Sequence, residues 1–301
     1  MGLYCKSHIN FPEKRRKLRV VMDTDIANEI DDHFALSEML LSPERFDVKA
    51  VIAAPYLHER VKSHAEGMEK SYEELHHVFD IIKRSDKDLI FKGSDKTMTE
   101  QGGAVISSGA QRIVELALDA RKDNEILYII GIAAATDIAS ALLMAPEIAG
   151  NVVVCWLGGH PAGPWQNNEF NLAQDYAASQ CLFRENVPLI QFPCRNVAQM
   201  LSLSRSELEM RYRGNALLDY LRERTIAEMD FSGNASRPIW DVAPVAWLLD
   251  DAPFISEVSA KPALESDGTE IAAEKSVPFR RIASLRRDPV MEQLLSALKR
   301  A

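Results

Sequence analysis

The sequence predicts an α/β fold, an open and mainly parallel sheet covered by helices. Three observations predict it. Short apolar runs of strand length alternate with segments of helical period from residue 18 to residue 192. Two runs, 126–130 and 152–157, are apolar throughout, as expected of strands buried on both faces. The 301 residues, 47% hydrophobic and 26% charged, are enough for one large core.

Each element follows in order. Residues 1–17 are polar without a clear period and are expected to form a loosely held arm; residues 18–301 are expected to form one domain. Leu18 to Met22 reads as the first strand, and Phe34, Leu36, Met39 and Leu40 mark a helix starting near Asp32. A strand over 48–54 stops at Pro55, a helix covers 60–84, and 88–91 reads as a short strand. The Gly/Ser/Thr-rich stretch 94–108 reads as a loop. Helices over 109–121, 136–144 and 172–184 alternate with strands over 126–130, 152–157 and 188–192. Beyond that the chain reads as mostly helical, including 206–229 and 241–249.

Lys and Arg total 35 against 44 Asp and Glu, a net charge of −9. That excess disfavours a general nucleic-acid binder, which needs positive charge against phosphate. Cys5, Cys155, Cys181 and Cys194 form no CxxC pair, so neither a zinc knuckle nor a disulfide framework is suggested. No apolar run reaches the ~20 residues of a membrane helix, and no signal-type stretch follows the basic residues 14–17. A soluble, cytoplasmic protein with no nucleic-acid or membrane partner is expected.

Four constellations carry chemistry. The loop after the first strand holds Asp23, Asp25, Glu29, Asp31 and Asp32 within ten residues. Crowded carboxylates repel unless a cation or shared protons neutralise them, and an all-oxygen cluster suits Ca²⁺ or Mg²⁺ over zinc. The bland alternative is a solvated acidic turn at a helix start. Thr136 follows a run of small residues that would admit a ligand close to the backbone. Asp241 opens an apolar helix and, taken alone, reads as an N-cap. Finally Gly158-Gly159-His160 is followed by Asn167, Asn168, Glu169, Phe170, Asn171 and Asp175, amides and acids beside an aromatic that suit a sugar.

These pieces, in this order, resemble the inosine-uridine-type nucleoside hydrolases, over about residues 18–250. The resemblance implies that family's fold, a mixed, mainly parallel sheet with a Rossmann-like core, as a single catalytic domain. It implies hydrolysis of the N-glycosidic bond of ribonucleosides to ribose and free base, with Ca²⁺ as cofactor. Asp25 resembles the calcium ligand that also deprotonates the attacking water. Asp32 and Asp241 look like further calcium ligands, and Thr136 like the donor of a main-chain carbonyl. Asp31, Glu169 and Asn171 resemble the residues that hold ribose hydroxyls, with Phe170 and Asn168 beside the sugar. Asp23 is read as an acid that orients the loop. A homodimer or homotetramer is the family expectation.

The sequence departs from the family pattern in three places. The acidic loop is longer by Asn28-Glu29, and Asn28 is expected to reach the ribose. Ala54-Pro55-Tyr56 stands where an Asn usually follows the second strand. Trp240 replaces the histidine common before the late aspartate, and no histidine follows His160. Trp240 therefore reads either as a stacking surface for the base or as core, and His160 either as facing the base or as a turn residue. Two alternatives compete: a non-catalytic or altered-specificity nucleoside- or sugar-binding relative, and a metal-dependent phosphohydrolase. The second leaves the Glu-Phe-Asn segment unexplained.

Overall fold

The computed structural model of the chain describes residues 6–163, 166–274 and 276–301. It begins β1 (Leu18–Thr24), α1 (Asp31–Leu40), β2 (Phe46–Ala53), α2 (His64–Ile81), β3 (Ile90–Lys92), α3 (Met98–Gln101) and α4 (Ser108–Lys122). Next come β4 (Leu127–Gly131), α5 (Thr136–Met144), β5 (Val152–Leu157), α6 (Phe170–Gln174), α7 (Tyr176–Arg184) and β6 (Leu189–Phe192). The last third holds β7 (Ser202–Ser204), α8 (Arg205–Arg211), α9 (Ala216–Ser232), β8 (Ser236–Pro238) and α10 (Val242–Leu249). It closes with β9 (Phe254–Ala260), β10 (Ala263–Leu264), β11 (Glu270–Ile271), β12 (Pro278–Leu285) and α11 (Arg287–Leu298).

The main sheet has eight strands in the order β3-β2-β1-β4-β5-β6-β12-β9. Neighbours are parallel except β12 with β9, so the sheet is mixed but mainly parallel, as expected. Alternate residues enter opposite cores: Val20 and Met22 pack into one apolar cluster and Val21 into the other. From β1 the chain steps outward to β2 and β3, then crosses back to β4. Strand order therefore reverses between β1 and β4, which opens a crevice at their carboxyl ends.

Several sequence expectations need correction. The tail is not mostly helical, because β12 and β9 extend the main sheet. β9 is an edge strand whose Ile255 and Val258 are exposed, and β12 carries Arg280 and Arg281 at its centre, so neither shows buried-strand patterning. The helix expected over 172–184 breaks at Asp175, and the one over 206–229 breaks at Gly214, whose φ of 109° lies in the left-handed range. The loop expected over 94–108 contains α3, closed by a capping box between Thr97 and Glu100.

Residues 1–5 of the expected arm lie outside the described residues, and residues 8–17 are held against the domain. Ile9 and Pro12 are buried, and the Arg45 side chain gathers this segment. Its guanidinium donates to the carbonyls of Pro12, Glu13, Lys14 and Arg16 from the segment and to that of Leu248 at the end of α10, at 2.6–3.2 Å. Phe11 lies 5.3 Å from that guanidinium and packs edge-on against Trp247. Composition could not show this, because the partner is one arginine far along the chain. Replacing Arg45 by Ala leaves several buried carbonyls without donors, at about 1–3 kcal/mol each. Arg45→Ala should therefore lower the denaturant midpoint by the equivalent of about 3 kcal/mol or more. Arg45→Lys, with three donors on one atom, should recover only part of it.

Candidate active site

The crevice beside the β1/β4 switch holds a cavity of about 440 Å³. That volume falls within the range of small-molecule sites. Its walls are the segments leaving the carboxyl ends of β1, β4, β5 and β6, together with the start of α10.

The β1 wall is acidic. After Thr24 the chain turns tightly, with the Asn28 N–H donating to the Asp25 carbonyl at 2.7 Å. The Asn28 side-chain amide donates to Asp25 Oδ2 at 3.1 Å. Asp31 and Asp32 open α1, and the Thr24 hydroxyl donates to Asp32. One ligand oxygen of each of Asp31, Asp32 and Asp241 lies within 4.8 Å of the others.

None of these acids serves as a solvated cap. Asp25, Asp31, Asp32 and Asp241 are at most 3% exposed. Asp241 occupies the N-cap position of α10 but makes no capping hydrogen bond; it meets Asp31 instead. Burial first, and neighbouring carboxylates second, push the carboxyls of Asp25, Asp32 and Asp241 well above the usual range. The same burial, helped by Glu29, lifts Asp31 to about 7. A buried cluster of this kind must hold protons or a cation. Its all-oxygen donors suit a hard divalent ion, and the three carboxylates converge closely enough to hold one.

Asp23 departs from its expected role. Both its side-chain oxygens are buried without a hydrogen-bond partner, so it does not orient the loop through its carboxyl. Burial, Asp137 and Asp25 together raise its proton affinity.

The Thr136 side chain is not part of the cavity lining; its hydroxyl donates to Asp175 at 2.8 Å, and the residue sits in the first turn of α5. Ile132, the residue directly after β4, lines the cavity instead. Asp175 likewise lies outside the lining. It accepts bonds from the Met98 and Thr99 amides, the Thr99 and Thr136 hydroxyls and the Ala178 amide, so it ties α3, α5 and α7 together.

The β5 wall is built on the two glycines. A Cβ on Gly158 would lie 2.2 Å from the Trp156 indole, and Gly159 has φ 78°, so the turn needs both. The Glu169 carboxylate accepts from the Gly159 amide at 2.7 Å and from the Asn171 and Leu172 amides at 3.0 Å, capping α6 and closing the turn. The Asn171 amide donates to the Leu157 carbonyl at 3.1 Å, and the His160 N–H donates to Asn167 at 3.0 Å. Asn28, His160, Asn168, Glu169, Phe170 and Asn171 all line the cavity, as does Trp240. The half-buried Trp240 also packs against the core and lies 5.8 Å from the Arg237 guanidinium.

Sequence reasoning missed Cys194, Arg195 and Gln199 at the end of β6, as well as Ile132 and Leu157. The available signal was topological. Every central parallel strand delivers its carboxyl end to the same crevice, so the residues after β6 belong there as much as those after β1.

The model of the inosine-uridine preferring nucleoside hydrolase family matches residues 20–282. No curated protein matches the sequence. Among solved structures, a plant nucleoside hydrolase is similar at TM-score 0.74 and 16% identity, covering 94% of this chain and 99% of its own. The inosine-uridine preferring nucleoside hydrolase from Bacillus anthracis is similar at TM-score 0.68 and 17% identity, covering 94% and 100%. The type III effector protein XopQ, complexed with adenosine diphosphate ribose, is similar at TM-score 0.68 and 16% identity, covering 94% of each chain. Among the described residues no helix is long and apolar enough to cross a membrane. The chain belongs to the inosine-uridine preferring nucleoside hydrolase family, glycosidases that act on the N-glycosyl bond of nucleosides.

Proposed function

We propose that this chain hydrolyses ribonucleosides to ribose and free base in a calcium-dependent reaction. The observation that carries the reading is the convergence of buried Asp31, Asp32 and Asp241 in one cavity with Asp25, Glu169 and Asn171. Asp25, Asp32 and Asp241 would hold the cation, with the main-chain carbonyl of Thr136 completing the set. When bound, a calcium ion supplies charge that lowers the pKa of water and attracts vicinal hydroxyls.

The chain's own residues do the rest. Asp25, steadied by Asn28, takes the proton of the attacking water. Asp31, Glu169 and Asn171 accept from or donate to the ribose hydroxyls, with Asn168 and Phe170 beside the sugar. Their carboxylates also favour the positive charge that develops on the sugar as the glycosidic bond breaks. Trp240 offers its ring to the departing base. The homodimer or homotetramer of the family is part of the same reading.

Ribose release from inosine, uridine, adenosine, guanosine and cytidine tests this. Release should require calcium and stop with a chelator, and Asp25→Asn should lower kcat by about 10²–10⁴. Chelator-resistant turnover, or an active Asp25→Asn enzyme, would overturn it. Glu169→Gln should raise KM for the ribonucleoside and also lower stability. It sets an NH₂ against buried amides, which costs about 1–3 kcal/mol for each one left unpaired; unchanged KM and unchanged unfolding would contradict the role.

A further inference from the structure

The cavity lining is divided by charge. Six carboxylic acids line it, four of them the aspartates from β1, α1 and α10, while Arg195 is the one guanidinium among the described lining residues. Despite that company, Arg195 makes no ion pair or hydrogen bond with any described residue, and it is exposed. Arg237 behaves differently: it pairs with Glu29 and Glu228, each at 2.8 Å.

The backbone presents Arg195 from a fixed turn. The Cys194 N–H donates to the Gly159 carbonyl at 2.9 Å, and the Gln199 N–H returns to the Cys194 carbonyl at 2.9 Å. Asn196 sits at φ 61°, and its N–H donates to the Gln199 side chain at 3.2 Å. The turn thus joins the Gly158-Gly159 loop, and the Cys194 thiol meets Glu169. His160 stands beside Arg195: burial and then the Arg195 charge lower its proton affinity, and its Nδ1 is buried without a partner. Arg195, His160, Asn168 and Gln199 thus bring hydrogen-bond donors to the cavity that the aspartates line, with the Arg195 charge felt at His160.

We infer that this end is a subsite for a phosphate on C5′ of the ribose, so that the site takes nucleoside 5′-phosphates in preference to free nucleosides. The inference rests on the ribose placement proposed above. With the diol at the aspartates and the base at Trp240, the C5′ arm is left for the Glu169 and Cys194–Gln199 side. A guanidinium fork, an imidazole nitrogen and two amides match the several acceptor oxygens of a phosphate monoester. Arg195 pairs with none of the six acids, so its guanidinium is open to an incoming anion.

Calorimetric titration of the calcium-loaded protein with ribose 5-phosphate and with ribose tests the subsite without relying on turnover. Ribose 5-phosphate should bind roughly ten-fold tighter or more. Arg195→Ala should remove that advantage, and Arg195→Lys should restore part of it. Equal affinities in the wild type, no binding of ribose 5-phosphate, or an advantage that survives Arg195→Ala would overturn the inference. Parallel assays with inosine and inosine 5′-monophosphate separate it from the hydrolase reading. If both are inert while the Arg195-dependent preference holds, the hydrolase reading fails and the subsite stands. If inosine is cleaved but no phosphate preference appears, the subsite fails and the hydrolase reading stands.

Discussion

Four carboxylates forced into one crevice set the terms for the rest of this molecule. Asp25, Asp31, Asp32 and Asp241 come from three separate segments and are at most 3% exposed. Burial opposes their charge before any neighbour is counted, and each neighbour then adds to the opposition. The fold compensates in part. Asp31 and Asp32 lie in the first turn of α1, where unsatisfied N–H groups favour negative charge, and the Thr24 hydroxyl binds Asp32. What is left uncompensated is a demand for positive charge, which a divalent cation satisfies with the fewest ordered groups.

The sheet explains why these groups meet at all. Parallel strands send their carboxyl ends in one direction, and the reversal of order between β1 and β4 leaves a gap there that no crossover helix fills. The acids after β1, the backbone after β4, the glycine turn after β5 and the Cys194–Gln199 turn after β6 converge on that gap. Two opposed chemistries result in a single cavity. Buried acids and the Arg195 guanidinium line the same space.

Most of the central sheet was legible in the sequence because it is buried on both faces. Strands such as Val152–Leu157 and helices such as Thr136–Met144 show their period plainly, and there the expected bounds match the observed ones. β9 and β12 were not legible, since an exposed edge and a strand with two central arginines carry no apolar pattern. The acids after β1 could be read because crowding of like charge within ten residues is itself a physical signal. Arg195 was passed over because one arginine in a loop has no pattern, and its meaning comes only from the six acids it fails to pair with.

The central claim is that the buried aspartates form a cation site, and thermal unfolding with added calcium tests it most directly. Saturating calcium should stabilise the folded protein by about 2.7 kcal/mol at a hundred times Kd. For a chain of this size that raises Tm by roughly 4 °C. Asp32→Asn should fold and lose that response. A wild-type Tm indifferent to calcium, or an Asp32→Asn protein that responds as the wild type does, would contradict the account.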